Sequence, residues 1–123
     1  AAKSAAPFNS NVIRKNMMSY TKARLLAETW IELTTDEACE ITLVEDKPYG
    51  WVFYYNSKDY DPNDISTHLV GNSPIIVDRV DGELRVTGTA YPTEHYLNEY
   101  EATLPESRME MTPERHDGVK KYR

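Results

Sequence analysis

Cysteine is nearly absent from this 123-residue chain: Cys39 stands alone, so no disulfide can close within it. Nothing points to an oxidising compartment, and the expected location is the cytoplasm. No histidine lies near Cys39 in sequence to activate a thiolate, so it reads as a small hydrophobe of the core. Long apolar runs are missing too. The longest, Trp51 to Tyr55, is five residues, far short of the roughly 20 that a membrane-spanning helix needs. Residues 1–16 hold no continuous apolar stretch, so no secretory signal is read there.

Phosphate loops and metal-ligand clusters are equally scarce. Gly50, Gly71, Gly82 and Gly88 stand singly, with neither GxGxxG nor GxxxxGK[ST] around them. His95 and Glu99 lie four apart and would share a helix face, but two ligands are too few for a zinc or iron site, and His68 and His116 add no matching spacing. The loop Asp59-Tyr60-Asp61-Pro62-Asn63-Asp64 starts like a calcium loop and then departs from it. Asp64 stands where the turn needs glycine, and Val70 where a bidentate glutamate belongs. Asp78 would need a second carboxylate across a cleft to act as a general acid or nucleophile. It reads instead as a turn residue that bonds nearby amides or pairs with Arg79 or Arg85. The expectation is a chain with no catalytic residue, no cofactor and no metal.

Basic residues are few where acids are plentiful. Residues 25–104 carry sixteen acidic and four basic side chains, whereas residues 1–24 carry five basic ones and no acid. The formal net charge is -6. Such an acidic body repels phosphate backbones, so nucleic acid is excluded as a partner of the domain, and a basic protein is favoured.

What is present is one domain's worth of pattern. The hydrophobic fraction is 40%, with 11% aromatics, which suits a folded soluble domain. Ser19 can cap a helix in which Ala23, Leu26, Ala27, Trp30 and Leu33 recur at spacings of three and four, ended by Thr34-Thr35-Asp36. Cys39 to Val44 predicts a first strand with Ile41 and Leu43 on one face. Trp51 to Asn56 predicts a second, with Trp51, Phe53 and Tyr55 on one face. Asp64 to Val70 predicts a short helix stopped at Gly71. Ile75 to Val77 and Glu83 to Thr87 give two more strands about the Asp81-Gly82 turn. Pro92 opens a closing helix with Tyr96, Leu97, Tyr100 and Leu104 as its buried stripe. The expected fold is α+β: an antiparallel sheet of about four strands, with the N-terminal and C-terminal helices packed on one face. Residues 1–17 read as a leader, 18–104 as the domain and 105–123 as a polar tail.

Nine tyrosines are many for this length, and tyrosine suits interfaces because it is amphipathic and has few rotors to freeze. With both helices on one face, Tyr54 would stand on the open face beside Thr42, Val52, Ile76, Asp78, Arg85 and Thr87. The partner-binding residues read from the sequence are Asp59, Tyr60, Asp61 and Asp64 of the acidic loop, with Tyr54 as a further anchor.

The order of particular residues adds a resemblance. Gly50-Trp51 with Phe53 and Tyr55, Gly71-Asn72-Ser73-Pro74, Ile75-Ile76-Val77-Asp78 before the Asp-Gly turn, Gly88-Thr89-Ala90, then Pro92, Glu94, Tyr96 and Tyr100-Glu101 resemble the immunity protein 35 family from about Met18 to Leu104. The resemblance implies a bacterial cytoplasmic protein of α+β fold that neutralises a cognate polymorphic toxin domain, and it brings no catalytic residues. A stress-related role within that family supplies the alternative, a holdase chaperone that binds exposed apolar segments of client proteins. Neither the toxin nor the oligomeric state follows from the sequence.

Overall fold

The computed structural model describes residues 17–67 and 73–118. Helix α1 spans Tyr20–Thr35, strands β1 and β2 span Cys39–Lys47 and Gly50–Ser57, and a 3-10 turn covers Ile65–Thr67. Strands β3 (Ile75–Asp78) and β4 (Leu84–Val86) follow, then helices α2 (Thr93–Ala102) and α3 (Glu106–Met109) and a 3-10 turn at His116–Gly118. The sheet is antiparallel throughout, in the order β1-β2-β3-β4. The α+β class and the four-stranded antiparallel sheet are as the sequence reads them.

Helix α1 begins where Ser19 Oγ accepts the Lys22 N–H at 3.3 Å, which satisfies one of the donors that a helix N-terminus leaves unpaired. Tyr20, Ala23, Ala27 and Ile31 are its buried residues, a stripe at helical spacing. Leu33, read from the sequence as part of that stripe, is 79% exposed. Ile31 takes the inward position instead. The helix stops at two consecutive left-handed residues, Asp36 (φ 55°) and Glu37 (φ 65°), as the Glu37 N–H turns back to Glu32 O at 2.8 Å.

In β1 a bulge between Ile41 and Leu43 shifts the register against β2. Cys39 and Ile41 pack toward α1 before it and Val44 after it, so the inward positions switch from odd to even. Leu43 is thereby turned out, 55% exposed. The extra residue overturns the simple alternation that pairs Ile41 with Leu43.

Strand β2 fixes the architecture. Trp51, Phe53 and Tyr55 join Tyr20, Ala23, Ala27 and Ile31 of α1 in one cluster, together with Ile75 and Val77. Val52, with Tyr49 and Ile76, packs against Leu97 of α2, flanked by Tyr54, Tyr100, Leu104 and Met109. The two helices therefore cover opposite faces of the sheet, which corrects the expectation that both lie on one face. The reason is visible in β2: its side chains are apolar or aromatic on both faces, and each face needs cover. Burying one such side chain is worth roughly 1.5–3 kcal/mol.

Polar bonds fasten the second layer. Asp78, fully buried at the end of β3, accepts hydrogen bonds at Oδ2 from the Tyr100 hydroxyl and the Arg108 guanidinium. Its Oδ1 takes the Val80 N–H at 2.8 Å. The nearby-amide role expected of Asp78 is present, and its ionic partner is Arg108 where the sequence suggested Arg79 or Arg85. Tyr49 donates to Glu101 Oε2 at 2.8 Å, and burial followed by that bond pushes its hydroxyl pKa well up. The segment after α3 crosses to the α1 side. Trp51 Nε1 donates to Glu114 O at 2.8 Å, the Tyr20 N–H to Glu114 Oε2 at 3.1 Å, and the His116 N–H to Asp46 Oδ1 at 2.9 Å.

Two substitutions test this frame by urea unfolding. A Cβ on Gly50 would meet Val77 O at 2.0 Å, so Gly50→Ala is expected to cost about 3 kcal/mol by forcing the β2–β3 backbones apart. Wild-type stability would refute the close approach. Asp78→Asn leaves Arg108 without its counter-charge and is expected to cost about 3 kcal/mol, with part recovered when Arg108→Met is added. No recovery in the double variant would show that Asp78 acts through its turn amides alone.

Candidate partner-binding surface

The β1–β2 register sets Cys39 opposite Ser57 and Glu40 opposite Asn56, and the Lys58 N–H donates to Ala38 O at 2.9 Å. The end of α1, the start of β1 and the loop leaving β2 therefore meet at one end of the sheet. Glu32, Asp36 and Glu37 arrive there from α1 and its cap, Glu40 from β1, and Asp59, Asp61 and Asp64 from the loop; all seven are exposed. Lys58 lies among them. Between α1 and β1 a shallow depression of about 250 Å³ is lined by Glu28, Glu32 and Glu40 with Arg24 and Lys58. Arg24 is already paired there, its Nε 2.8 Å from Glu28 and its Nη1 3.0 Å from the Tyr20 hydroxyl.

The loop holds its own shape. Asp61 Oδ1 accepts the Asn63 N–H at 3.0 Å, and Asp64 Oδ1 accepts the Ser66 N–H at 3.0 Å and the Ser66 hydroxyl at 2.7 Å. Ser57 Oγ takes the Asp59 N–H at 3.1 Å, and a bridge joins Asp61 to Asp64. These side-chain turns preorganise the loop, which lowers the entropy a partner must remove on binding. Tyr60 stands 41% exposed, Ile65 beside Asp64 is 83% exposed, and Leu33 beside Glu32 is 79% exposed. Large apolar side chains bordered by carboxylates are the make-up of an interface centre and rim.

Tyr54 lies elsewhere. It packs against Tyr49, Val52, Ile76 and Leu97 on the α2 face and donates to Glu45 Oε1 at 2.7 Å. Burial, then that bond, pushes its hydroxyl pKa up. The structure gathers Asp59, Tyr60, Asp61 and Asp64 in one loop and sets Tyr54 apart from them, under the helix that covers the face once expected to be open.

Three polar groups have residue types that could carry chemistry. His95 Nε2 lies 3.2 Å from Glu99 Oε2 as a surface pair. The calcium-like loop has the side-chain turns just described. His116, without a matching spacing in sequence, is brought by folding to Asp46, with Nδ1 3.0 Å from Oδ1. Asp117 completes a trio whose ligand atoms lie within 4.8 Å of one another. The Arg115 guanidinium makes two 2.9 Å bonds to Asp117 and holds that carboxyl below its usual range. A cation is thus already in place, and the trio reads as a clasp between the C-terminal segment and β1.

Sequence reasoning found the loop acids and missed the acids of α1's end as their neighbours. The signal was available in the hairpin: a two-residue loop at Pro48-Tyr49 returns Glu40 to the end of β2, next to the acidic loop, and the bulge shifts its partner by one residue to Asn56.

Residues 21–103 match the family described as Immunity protein 35. The chain is also 34% identical over 86 residues to the uncharacterized protein YrhB of Escherichia coli strain K12, a similarity that spans 69% of this chain and 90% of that protein. No solved structure matches it. The acidic end falls wholly inside the matched region, and the clasp after Pro105 falls outside it. The chain belongs to the Immunity protein 35 family.

Proposed function

We propose that this protein is an immunity protein that binds a cognate toxin domain and neutralises it by occluding its active site or an essential surface. The observation that carries the reading is the acidic end: seven exposed carboxylates from three elements, three of them on a loop that shapes itself, inside the region that matches the family. An inhibitor of this kind needs no reactive group. It needs a rigid surface of complementary charge with a few apolar anchors, which Tyr60, Leu33 and Ile65 supply here. The partner is a basic toxin domain, steered in by the field of the carboxylates, and the setting is the bacterial cytoplasm.

A holdase reading calls for a contiguous apolar surface. Among the described residues the exposed large hydrophobics are spread over several elements: Leu25 and Leu33 of α1, Leu43 of β1, Tyr60 and Ile65 of the acidic loop, Val86 of β4, and Tyr91. The immunity reading is therefore the stronger of the two.

The test is co-expression with candidate toxin domains, followed by kinetics on the purified pair that protects. Reversing Asp59, Asp61 and Asp64 to lysine together is expected to slow association at least about tenfold at low salt and to weaken protection of the cells. Unchanged association at low salt would remove the loop from the interface. Wild-type protein that fails to protect, yet suppresses aggregation of unrelated heated proteins, would favour the chaperone.

A further inference from the structure

Strand β1 is an edge of the sheet and has nine residues. Its register decides where each amide points. The two-residue loop Pro48-Tyr49 makes Lys47 and Gly50 a hydrogen-bonded pair, and such pairs alternate along an antiparallel ladder. Glu45 and Leu43 therefore bond to β2 as Lys47 does, while Asp46 and Val44 present their N–H and C=O groups outward. The far side of β2 agrees. Tyr49 O accepts the Arg79 N–H at 2.8 Å, so the odd positions of β2 face β3 and leave Gly50 and Val52 for β1. Among the described residues, no backbone group of Glu40 to Asp46 bonds to a third segment.

The edge is guarded against its own kind. The bulge between Ile41 and Leu43 interrupts it, and bulges and charges are the usual means of keeping an open edge from pairing with a copy of itself. An antiparallel second copy centred on Leu43 would set Glu40 against Asp46 twice, a like-charge clash. The same carboxylates favour a basic strand.

Two depressions flank the edge on its α1 side. One, of about 310 Å³, is lined by Ile41, Thr42, Leu43 and Val44 with Arg24 and His116. The other is the depression of about 250 Å³ that holds Glu32 and Glu40. They share Arg24 and Ile41, so they lie in succession along β1. A strand laid against an edge sends alternate side chains to one face, and here they would meet first an aliphatic and then an acidic hollow.

We propose that the outer edge of β1 accepts an extended, basic segment of a partner protein as a fifth strand. The identity of that partner as the toxin rests on the immunity reading, and the strand pairing itself does not. Main-chain bonds to Val44 and Asp46 hold the segment. An apolar side chain enters the Ile41–Val44 hollow, and a lysine or arginine two positions along reaches Glu32 and Glu40. The segment then runs onto the acidic end, which joins the two surfaces into one interface.

The test is amide hydrogen exchange by NMR on the full chain, titrated with the blocked basic peptide Thr-Val-Lys-Arg-Thr-Lys, whose valine and arginine, two positions apart, share one face. Exchange at Val44 and Asp46 is expected to slow at least about tenfold at saturation, while Leu43 and Glu45, already bonded to β2, change little. The acidic peptide Thr-Val-Glu-Glu-Thr-Glu, and the basic one N-methylated at alternate residues, are expected to give no protection. Protection absent from Val44 and Asp46, or given equally by the N-methylated peptide, overturns the proposal. The titration contains no toxin, so it decides the strand pairing separately from the protection assay.

Discussion

The structure depends on β2 being buried on both faces. Trp51, Phe53 and Tyr55 point into one layer and Val52 into the other, and Trp51, Val52 and Phe53 are wholly inaccessible. A sheet with such a central strand must be covered twice, by α1 on one side and α2 on the other. That requirement moves any binding surface off the faces of the sheet. What is left for a partner is the rim: the ends of the sheet, the loops and the outer edge of β1.

The rim is also where the charge is concentrated. Carboxylates gather at the end where α1 stops, β1 starts and β2 leaves, because the hairpin register brings Glu40 and the loop acids together. The left-handed pair Asp36 and Glu37 turns the chain sharply at this end. Non-glycine residues in that region carry a small conformational cost, here accepted where the helix ends. The opposite side of the molecule is devoted to stability. Asp78, Tyr100 and Arg108, with Tyr49 and Glu101, bolt the second layer down by hydrogen bonds that burial strengthens.

Much of this was legible in the sequence. The α1 cap at Ser19, the apolar alternation of β2, the Asp-Gly turn and the proline before α2 are local signals, and each element formed within a residue or two of where they placed it. The acidic loop was legible for the same reason. Long-range choices were not. The side of the sheet that α2 takes is set by Leu97 packing on Val52 and Ile76, a contact between residues far apart in sequence that local periodicity does not encode. The Ile41–Leu43 bulge is a one-residue insertion that alternation cannot reveal. Residues after Pro105 look like a polar tail because they bind through backbone atoms such as Glu114 O and Thr112 O, which are blind to side-chain polarity. The candidate helix near Asp64 forms as the Ile65–Thr67 turn. Its remainder, with His68 and Gly71, lies outside the described residues, as does the leader up to residue 16.

Membership of the Immunity protein 35 family and an acidic rim support the proposal that the protein acts by covering part of a basic protein. The most direct measurement is a hydrogen–deuterium exchange footprint of this chain bound to a toxin domain against which it protects cells. The account predicts slowed exchange over residues 32–46 and 57–66, with α2 unchanged. A footprint confined to α2 and β4, sparing the acidic end and β1, would contradict it.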